Sequence, residues 1–239
     1  MNIIKSVTVL ALCLSCGHLS AQETPFKLGV RLGGGISVTT GLDKILVPED
    51  YYSNYNFKDK WQFTPTVGVF AQYHVDGSII GVEGGFSYWQ KASQLVYNDN
   101  KELNYKVTPR YNYIGVSALL KIYPWRKGFN ISIGGRAGAN LNGKGISYES
   151  NQEDSKFANY HFATVAETER LMKEKLTGQP DIAVGGGFGY EIGNHWTLDL
   201  RYFHGLNSTI KTERNDYNWA EHSTYGQNIE LSISYLFKL

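Results

Sequence analysis

The chain has 239 residues, a formal net charge of +1 and only 19% charged residues. This balance argues against a nucleic-acid-binding protein, which needs a basic face, so we expect no nucleic-acid partner. An aromatic content of 14% argues against disorder. The 26 glycines and 17 tyrosines, beside only 6 prolines, are instead typical of a chain that consists of many strands. After the N-terminus, no uncharged apolar run approaches the about 18 residues of a transmembrane helix.

The first 21 residues have the features of a secretory signal peptide. Lys5 supplies the positive start, the segment from Val7 to Leu14 is apolar, and Ala21 follows Leu19-Ser20 as a small-residue cleavage site. We therefore predict a cleaved signal peptide at 1–21 and one domain at 22–239.

Both cysteines of the chain, Cys13 and Cys16, lie in this predicted signal peptide. The exported domain would then contain no disulfide, and its fold must close by other means. An alternative is a lipoprotein acylated at Cys16, although that position lacks the usual Leu three residues upstream.

Beyond the signal peptide, apolar and small polar residues alternate with a period of two, which indicates β-strands. In residues 26–38 the even positions are all apolar or Gly, and the odd positions are Lys, Arg, Ser or Gly. A tilted membrane strand needs about 9–11 residues, and each alternating segment is long enough. The eight predicted strands are 26–38, 61–75, 79–90, 110–123, 129–141, 181–192, 195–206 and 228–239.

The connections between these strands alternate between short and long. The short ones are Asp76-Gly77-Ser78, the segment from Pro124 to Gly128, and Gly193-Asn194. Short turns at one end and long loops at the other are the plan of an outer-membrane barrel. The long connections are about 39–60, 91–109, 142–180 and 207–227.

The third long connection contains a predicted helix from Phe157 to Leu176. Glu169 and Lys173 form an i,i+4 pair there, and Gly178 is a plausible end. The predicted fold class is thus all-β: an eight-stranded antiparallel up-and-down transmembrane β-barrel, in the cell outer membrane, with a short helix in the third long loop.

Aromatic residues recur near the predicted strand ends, where they would form two girdles at the membrane interfaces. The alternative is that they are ordinary strand aromatics. The short-turn end would carry Phe26, Tyr73, Tyr123, Trp125, Phe129, Tyr190, Trp196 and Phe237, and the opposite end Trp61, Tyr88, Trp89 and Tyr111.

The polar face of the strands consists mostly of Gly, Ser, Thr and Asn with one or two charges per strand, which suits a crowded interior. A soluble barrel would instead carry its apolar face inside, around a ligand. An Arg at the lipid midplane costs about 2–4 kcal/mol, which favours charges directed inward. We predict a salt-bridged plug of side chains and no open pore, with a narrow proton or ion path as the alternative. The lumen charges would be Lys27, Arg31, Lys121, Arg136, Arg201 and Lys238 against Glu83, Asp181, Glu191, Asp199 and Glu230.

Several segments resemble the PorT-like outer-membrane β-barrel domain family. These are the segment from Lys27 to Gly33, the strand from Tyr113 to Tyr123, the Asp- and Gly-rich strand from Asp181 to Glu191, and Leu198 to Tyr202 with Gly205-Leu206. The resemblance covers nearly all of residues 22–239. It implies an eight-stranded barrel of the OmpA or OmpX type but carries over no function, because many barrels of unknown role share the domain.

Few residues point to chemistry. None of the five histidines after the predicted cleavage site forms a metal-ligand spacing with a neighbour. The glycines from Val184 to Gly189 superficially resemble a phosphate-binding loop, but they lie within a predicted strand that no helix follows. We expect no catalytic, cofactor-binding or metal-binding residue. The alternative is a lipid-modifying enzyme that uses His204 and Ser208 near the outer rim.

The loops are where specificity could lie, because loops on a rigid scaffold often carry function. Loop 39–60 contains Tyr51, Tyr52, Tyr55 and Phe57 and would bind a protein or glycan partner; alternatively, the loops form a lid over the barrel mouth. We therefore predict a non-enzymatic outer-membrane barrel with a filled lumen, four long surface loops and a structural or binding role. Its expected partners are outer-membrane lipid and the barrel-assembly machinery. Alternatives are an accessory component of a protein-secretion or envelope complex and the lipid-modifying enzyme.

Overall fold

The computed structural model describes most of the domain that follows the predicted signal peptide. The peptide itself and Tyr51, Tyr52 and Tyr55 lie outside the described residues. Within the described part of the chain, neither helix is long and apolar enough to cross a membrane. The described residues are 25–46, 56–98, 103–126, 128–154, 156–157, 163–193, 195–212 and 222–238.

The described residues form long strands with two short helices and three short strands inserted between them. In chain order the elements are β1 (Phe26–Thr40), α1 (Leu42–Leu46), β2 (Asn56–His74), β3 (Ile80–Asn98), β4 (Asn104–Ile122), β5 (Phe129–Asn140), β6 (Ile146–Ser150), α2 (Val165–Lys175), β7 (Leu176–Gly178), β8 (Asp181–Ile192), β9 (Trp196–Gly205), β10 (Ile210–Thr212) and β11 (Tyr225–Lys238).

Eight of these strands form one closed antiparallel ring in the order β1-β2-β3-β4-β5-β8-β9-β11. The ring closes where β1 pairs with β11, from Lys27 opposite Lys238 to Thr40 opposite Tyr225. Closure removes the free edges that an open sheet would expose. The predicted eight-stranded up-and-down barrel is therefore confirmed.

Side chains alternate between the outside of the barrel and its lumen. Leu32 and Phe63 point outward and keep 66% and 67% of their surface exposed, as lipid-facing residues should. On the inner face even long charged side chains are buried, and Lys121 and Asp199 have no exposed surface. The predicted orientation of the two faces agrees with this alternation.

The predicted loop at 91–109 is wrong in its bounds, since most of it belongs to β3 and β4. These strands keep one register from Ile80 opposite Ile122 to Asn98 opposite Asn104, with a gap in the pairing at Ser93 and Gln94. Likewise β2 begins at Asn56 rather than at 61. The hairpins thus continue beyond the membrane, where water replaces lipid on the outer face and the apolar pattern that marks a membrane strand ends.

The pairing of β2 with β3 shifts by one residue between Trp61 and Thr66. Such a bulge turns the side chains above it to the opposite face. Trp61 consequently lies opposite the buried Ser93, on the inner side of the sheet, although 41% of its own surface is exposed. The prediction that Trp61 belongs to the outer girdle assumes an unbroken alternation along β2, and the bulge breaks that alternation.

The long connections build a cap with its own hydrophobic core over the barrel mouth. Helix α1, helix α2 and the short strands contribute to it, together with the extended ends of β3 and β4. Its buried members are Leu42, Ile45, Leu46, Trp89, Leu95, Val107, Tyr111, Tyr113, Ile146, Tyr148, Met172, Leu176 and Ile210.

Helix α2 is shorter than the predicted helix from Phe157 to Leu176. Thr164 has an extended backbone, and its side chain accepts a hydrogen bond from the Glu167 N–H, which makes it the N-cap. The helix begins only after this cap and ends at Lys175. Phe157 belongs to a separate short turn.

Candidate functional site: the barrel lumen and its cap

The lowest layer of the lumen, beside the short turns, is centred on Glu191. Its Oε1 accepts hydrogen bonds from the Tyr123 hydroxyl at 2.7 Å and from Gln72 Nε2 at 2.7 Å. Lys27 Nζ lies 3.9 Å from Glu191 Oε2. Lys238 pairs in register with Lys27 at this end, but its side chain lies outside the described part of the structure.

The middle layer is centred on Glu83, which is buried among three cations. Its carboxylate lies 2.8 Å from Arg31, 2.9 Å from Lys121 and 3.0 Å from Arg201. Asp199 adds a second carboxylate, 3.7 Å from Arg31 and 3.2 Å from Arg201. These charges come from four different strands, so only closure of the barrel brings them together.

The upper layer is centred on Asp181 and Arg136. Asp181 Oδ1 accepts a hydrogen bond from Lys91 at 2.5 Å, and Oδ2 accepts one from the indole of Trp89 at 3.0 Å. Arg136 lies 3.4 Å from Asp181 and 3.6 Å from Glu230.

The guanidinium of Arg136 is also held between two aromatic rings. Its central carbon lies 4.7 Å from the centre of the Trp89 ring and 4.3 Å from that of Phe203. Cation–π contacts of this kind gain strength when water is excluded. They place the upper ionic layer directly beneath the apolar core of the cap, to which Trp89 also belongs.

Lys91 is a lumen charge that the sequence analysis missed. It is the first residue of the predicted loop at 91–109, so it lies outside the segments whose alternation predicts the lumen charges. In the structure it continues the inner face of β3, two residues after Trp89, and it is almost completely buried. Extending the alternation of 79–90 by one residue would have found it.

Glycines on the inner face make room for large side chains. A Cβ on Gly29 would lie 2.4 Å from the Phe70 ring, and one on Gly138 would lie 2.4 Å from Trp89. In β8 the inner-face glycines are Gly185, Gly187 and Gly189, and a Cβ on Gly187 would lie 2.1 Å from the Leu200 carbonyl oxygen and 3.0 Å from the Arg201 side chain. The glycine-rich strand is thus a packing feature of the barrel, in agreement with its interpretation as a strand.

Most of the predicted girdle residues lie on the outer surface. Tyr88 and Phe129 are half-buried there and pair with outward neighbours. The exposed ones are Phe26, Tyr73, Trp125, Tyr190, Trp196 and Phe237.

Besides Trp61, three of the aromatics assigned to the girdles point inward. Tyr123 is buried in the lowest lumen layer, and Trp89 and Tyr111 are buried in the core of the cap. All three occupy inner-face positions. The girdle prediction considers how near each residue is to a strand end, whereas the alternation shows which face the residue is on.

The two residues of the enzyme alternative are engaged elsewhere. The Ser208 hydroxyl donates to the Ile210 carbonyl at 2.7 Å and accepts a hydrogen bond from the Thr224 N–H at 3.2 Å. His204 stacks on Tyr225 with ring centres 6.1 Å apart. Among the described residues, no group of three or more His, Cys, Asp or Glu could hold a metal ion.

Helix α2 is joined to strand β6 through Glu169. The Glu169 carboxylate accepts a hydrogen bond from the Tyr148 N–H at 3.2 Å and pairs with Lys173 one turn along the helix. The Lys173 ammonium, with the help of the Tyr148 N–H, lowers the pKa of Glu169 below its ordinary value of 4.5. Burial raises the pKa of the Tyr148 phenol, which packs in the cap core.

Comparison with known proteins identifies the family. The model of the outer membrane protein beta-barrel domain family matches residues 9–237. No curated protein matches the chain. Similar solved structures include Neisserial surface protein A, 12% identical with a TM-score of 0.41, covering 90% of this chain and 98% of that one. Outer membrane protein W of Escherichia coli is 13% identical with a TM-score of 0.39, covering 90% of this chain and all of that one.

The family model spans nearly the whole domain that forms the barrel. The exposed apolar belt, the closed ring and the inward charges are what a membrane-spanning barrel of this kind requires. The predicted outer-membrane location is therefore confirmed, and the chain belongs to the outer membrane protein beta-barrel domain family.

Proposed function

We propose that this protein is a non-catalytic outer-membrane barrel that transports nothing through its lumen and acts through the surface that its cap presents. The observation that carries the proposal is the sequence of three ionic layers inside the barrel, closed above by the hydrophobic core of the cap. Each layer joins side chains from several strands, so the lumen side chains brace the barrel wall.

Charge pairing supports the filled lumen. An unpaired charge inside a barrel is costly, whereas each buried charge described above lies within 4 Å of an opposite one. An eight-stranded barrel has an interior about wide enough for side chains to fill. A path for ions would have to separate these pairs and also displace the cap core.

The proposal is tested by conductance of the purified, refolded protein in planar lipid bilayers. We expect insertion without steady ohmic current, because the ionic layers and the cap obstruct the lumen in series. The positive control is a large open porin. A variant without helix α2 is unsuitable, since removal of the helix would expose the apolar surface of the cap core. A large, stable ohmic conductance of the intact protein would overturn the proposal.

We keep the accessory role in a secretion or envelope complex as a second candidate. The resemblance to PorT-like barrels in segments such as Asp181 to Glu191 permits this role, and the cap offers an external surface for a protein partner. Crosslinking in intact cells distinguishes the two candidates, because the accessory role requires one reproducible protein partner at cap residues.

A further inference from the structure

The barrel is higher on one side than on the other. The last pair between β4 and β5 is Tyr113 opposite Asn140. Beyond it, β4 continues beside β3 for nine more residues, up to Asn104 opposite Asn98. Nine residues correspond to about 30 Å along a strand. Over this height β6 takes the place of β5 beside β4, and β2 flanks β3, so four strands form an upright sheet beside the cap.

The two faces of this sheet differ completely. Its inner face carries Leu95, Val107 and Tyr148, which are buried in the cap core. Paired residues of neighbouring strands share a face, so Lys58, Val96, Lys106 and Glu149 form one row on the outer face. None of the described residues of the cap core lies on this side.

The outer face is strongly basic. Its cations are Lys58, Lys60, Lys106 and Arg110, all exposed, and we call this set the basic wall. Among the described residues of the four strand segments, Glu149 is the one anion on the same face, 3.6 Å from Lys106. Asp59, the other acidic residue of the sheet, pairs with Leu95 and therefore lies on the inner side.

The basic wall begins immediately above the lipid-facing belt. A ladder of hydrogen bonds leads up to it: the Tyr88 hydroxyl and Gln90 both donate to Asn112 Oδ1, at 2.9 and 2.8 Å, and Arg110 donates to Gln90 Oε1 at 2.6 Å. Tyr at this position is typical of the membrane interface, with its ring in the apolar region and its hydroxyl in the headgroup layer. Arg110 therefore lies at headgroup level, and the three lysines lie farther out.

We infer that the basic wall binds the phosphate groups of lipid headgroups in the outer leaflet. Arginine and lysine donate charge-assisted hydrogen bonds to phosphate oxygens. The cations are spread over rows about 7 Å apart, two residues along a strand, rather than gathered in a pocket. The array therefore extends outward from the headgroup level, where Arg110 lies, along the upright sheet. Such an extended array suits the phosphate groups of lipid headgroups packed beside the barrel, and it offers little to a single free phosphate ion.

The test measures how much phosphorylated lipid stays with the protein. The barrel is reconstituted in nanodiscs of phosphatidylcholine containing bis-phosphorylated lipid A, extracted in mild detergent, and its bound lipid is counted by native mass spectrometry. The test variant combines Lys58→Gln, Lys60→Gln, Lys106→Gln and Arg110→Gln. The control variant removes four cations from elsewhere on the extracellular part, with Lys144→Gln, Arg170→Gln, Lys175→Gln and Lys211→Gln.

We expect the wild type and the control variant to retain lipid A. The amount retained by the test variant should be lower by at least about tenfold, since each cation near an anionic surface changes affinity several-fold. High salt should release the lipid, because the screening length falls from about 10 Å at 0.1 M to about 3 Å at 1 M. A gel that separates folded from heat-denatured barrel shows that every variant is folded. Equal retention by the two variants, equal retention of dephosphorylated lipid A, or full displacement by inorganic phosphate at physiological concentration would each overturn the inference.

Discussion

Glu83 illustrates at the scale of one residue how a barrel holds charge inside a membrane. Burying a lone carboxylate is very costly, and its position is tolerable because Arg31, Lys121 and Arg201 surround it. The same contacts connect β3 with β1, β4 and β9, so the residue fastens the barrel across its lumen.

We predict that Glu83→Gln destabilises the folded barrel by about 3–5 kcal/mol, because it leaves three buried cations with too little negative charge. The measurement is urea unfolding of the refolded protein in lipid vesicles. Glu149→Gln is the matched control: it removes an equally charged carboxylate from an exposed pair with Lys106, which contributes about 0–1 kcal/mol. Equal stability of the two variants would show that the middle layer does not brace the barrel.

At the scale of elements, helix α2 is attached to the cap by few contacts. Met172 inserts into the cap core, and Glu169 satisfies the Tyr148 N–H at the otherwise open edge of β6. A carboxylate that caps a strand edge also keeps that edge from pairing with another chain. The attachment of α2 thus combines these two contacts with hydrogen bonds from the Val165 N–H to Glu153 and from Gln152 to Thr168.

The ionisable contact makes the attachment of α2 sensitive to acid. Because the pKa of Glu169 is lowered in the folded state, its contribution is complete above the ordinary pKa of 4.5 and is lost as the pH falls through the lowered value. We predict that hydrogen exchange across residues 165–175, corrected for the intrinsic pH effect, becomes faster below that range.

Glu169→Gln should remove this pH dependence, whereas Glu174→Gln should keep it. Glu174 pairs with Arg170 on the exposed side of the same helix. If both variants kept the wild-type pH dependence, the tie between Glu169 and β6 would not be what attaches the helix.

At the scale of the whole molecule, the barrel is strongly asymmetric along its axis. One end has tight turns such as Asp76-Gly77-Ser78, and the other carries the cap and the upright sheet with the basic wall. Short turns of outer-membrane barrels face the periplasm and long connections face outward. The ionic layers between the two ends are buried, so salt should affect them far less than the basic wall.

This asymmetry predicts the labelling of engineered cysteines by a membrane-impermeant maleimide. Lys144→Cys, in the cap, should react in intact cells, and Ser78→Cys, in a short turn, should react only after the outer membrane is permeabilised. Both positions are in described, solvent-accessible segments, so unequal reactivity reports sidedness rather than burial. If Ser78→Cys reacted in intact cells and Lys144→Cys did not, the orientation of the barrel would be the reverse of the one predicted.

Several features of this molecule could not be found from local patterns. The upper ends of β2, β3 and β4 are among them, because beyond the lipid an outer face of Lys, Gln and Thr resembles a loop. The bulge after Trp61 reverses the faces of β2, and its position follows from the pairing with β3 rather than from the residues of β2 alone. The cap core contains residues as distant in sequence as Leu42 and Ile210, and no spacing predicts that both belong to it.

The sequence by itself determined the number of membrane strands, their antiparallel order, and which face of each strand is apolar and which is polar. The reason is that lipid on one side and a crowded lumen on the other impose a period of two on every strand. Only the tertiary structure decided which charges meet, where β2 changes face and how the long connections close the mouth. The physical reason is that alternation is a local response to the surroundings of one strand. Ion pairs and a cap core, in contrast, depend on strands that become neighbours only when the barrel closes.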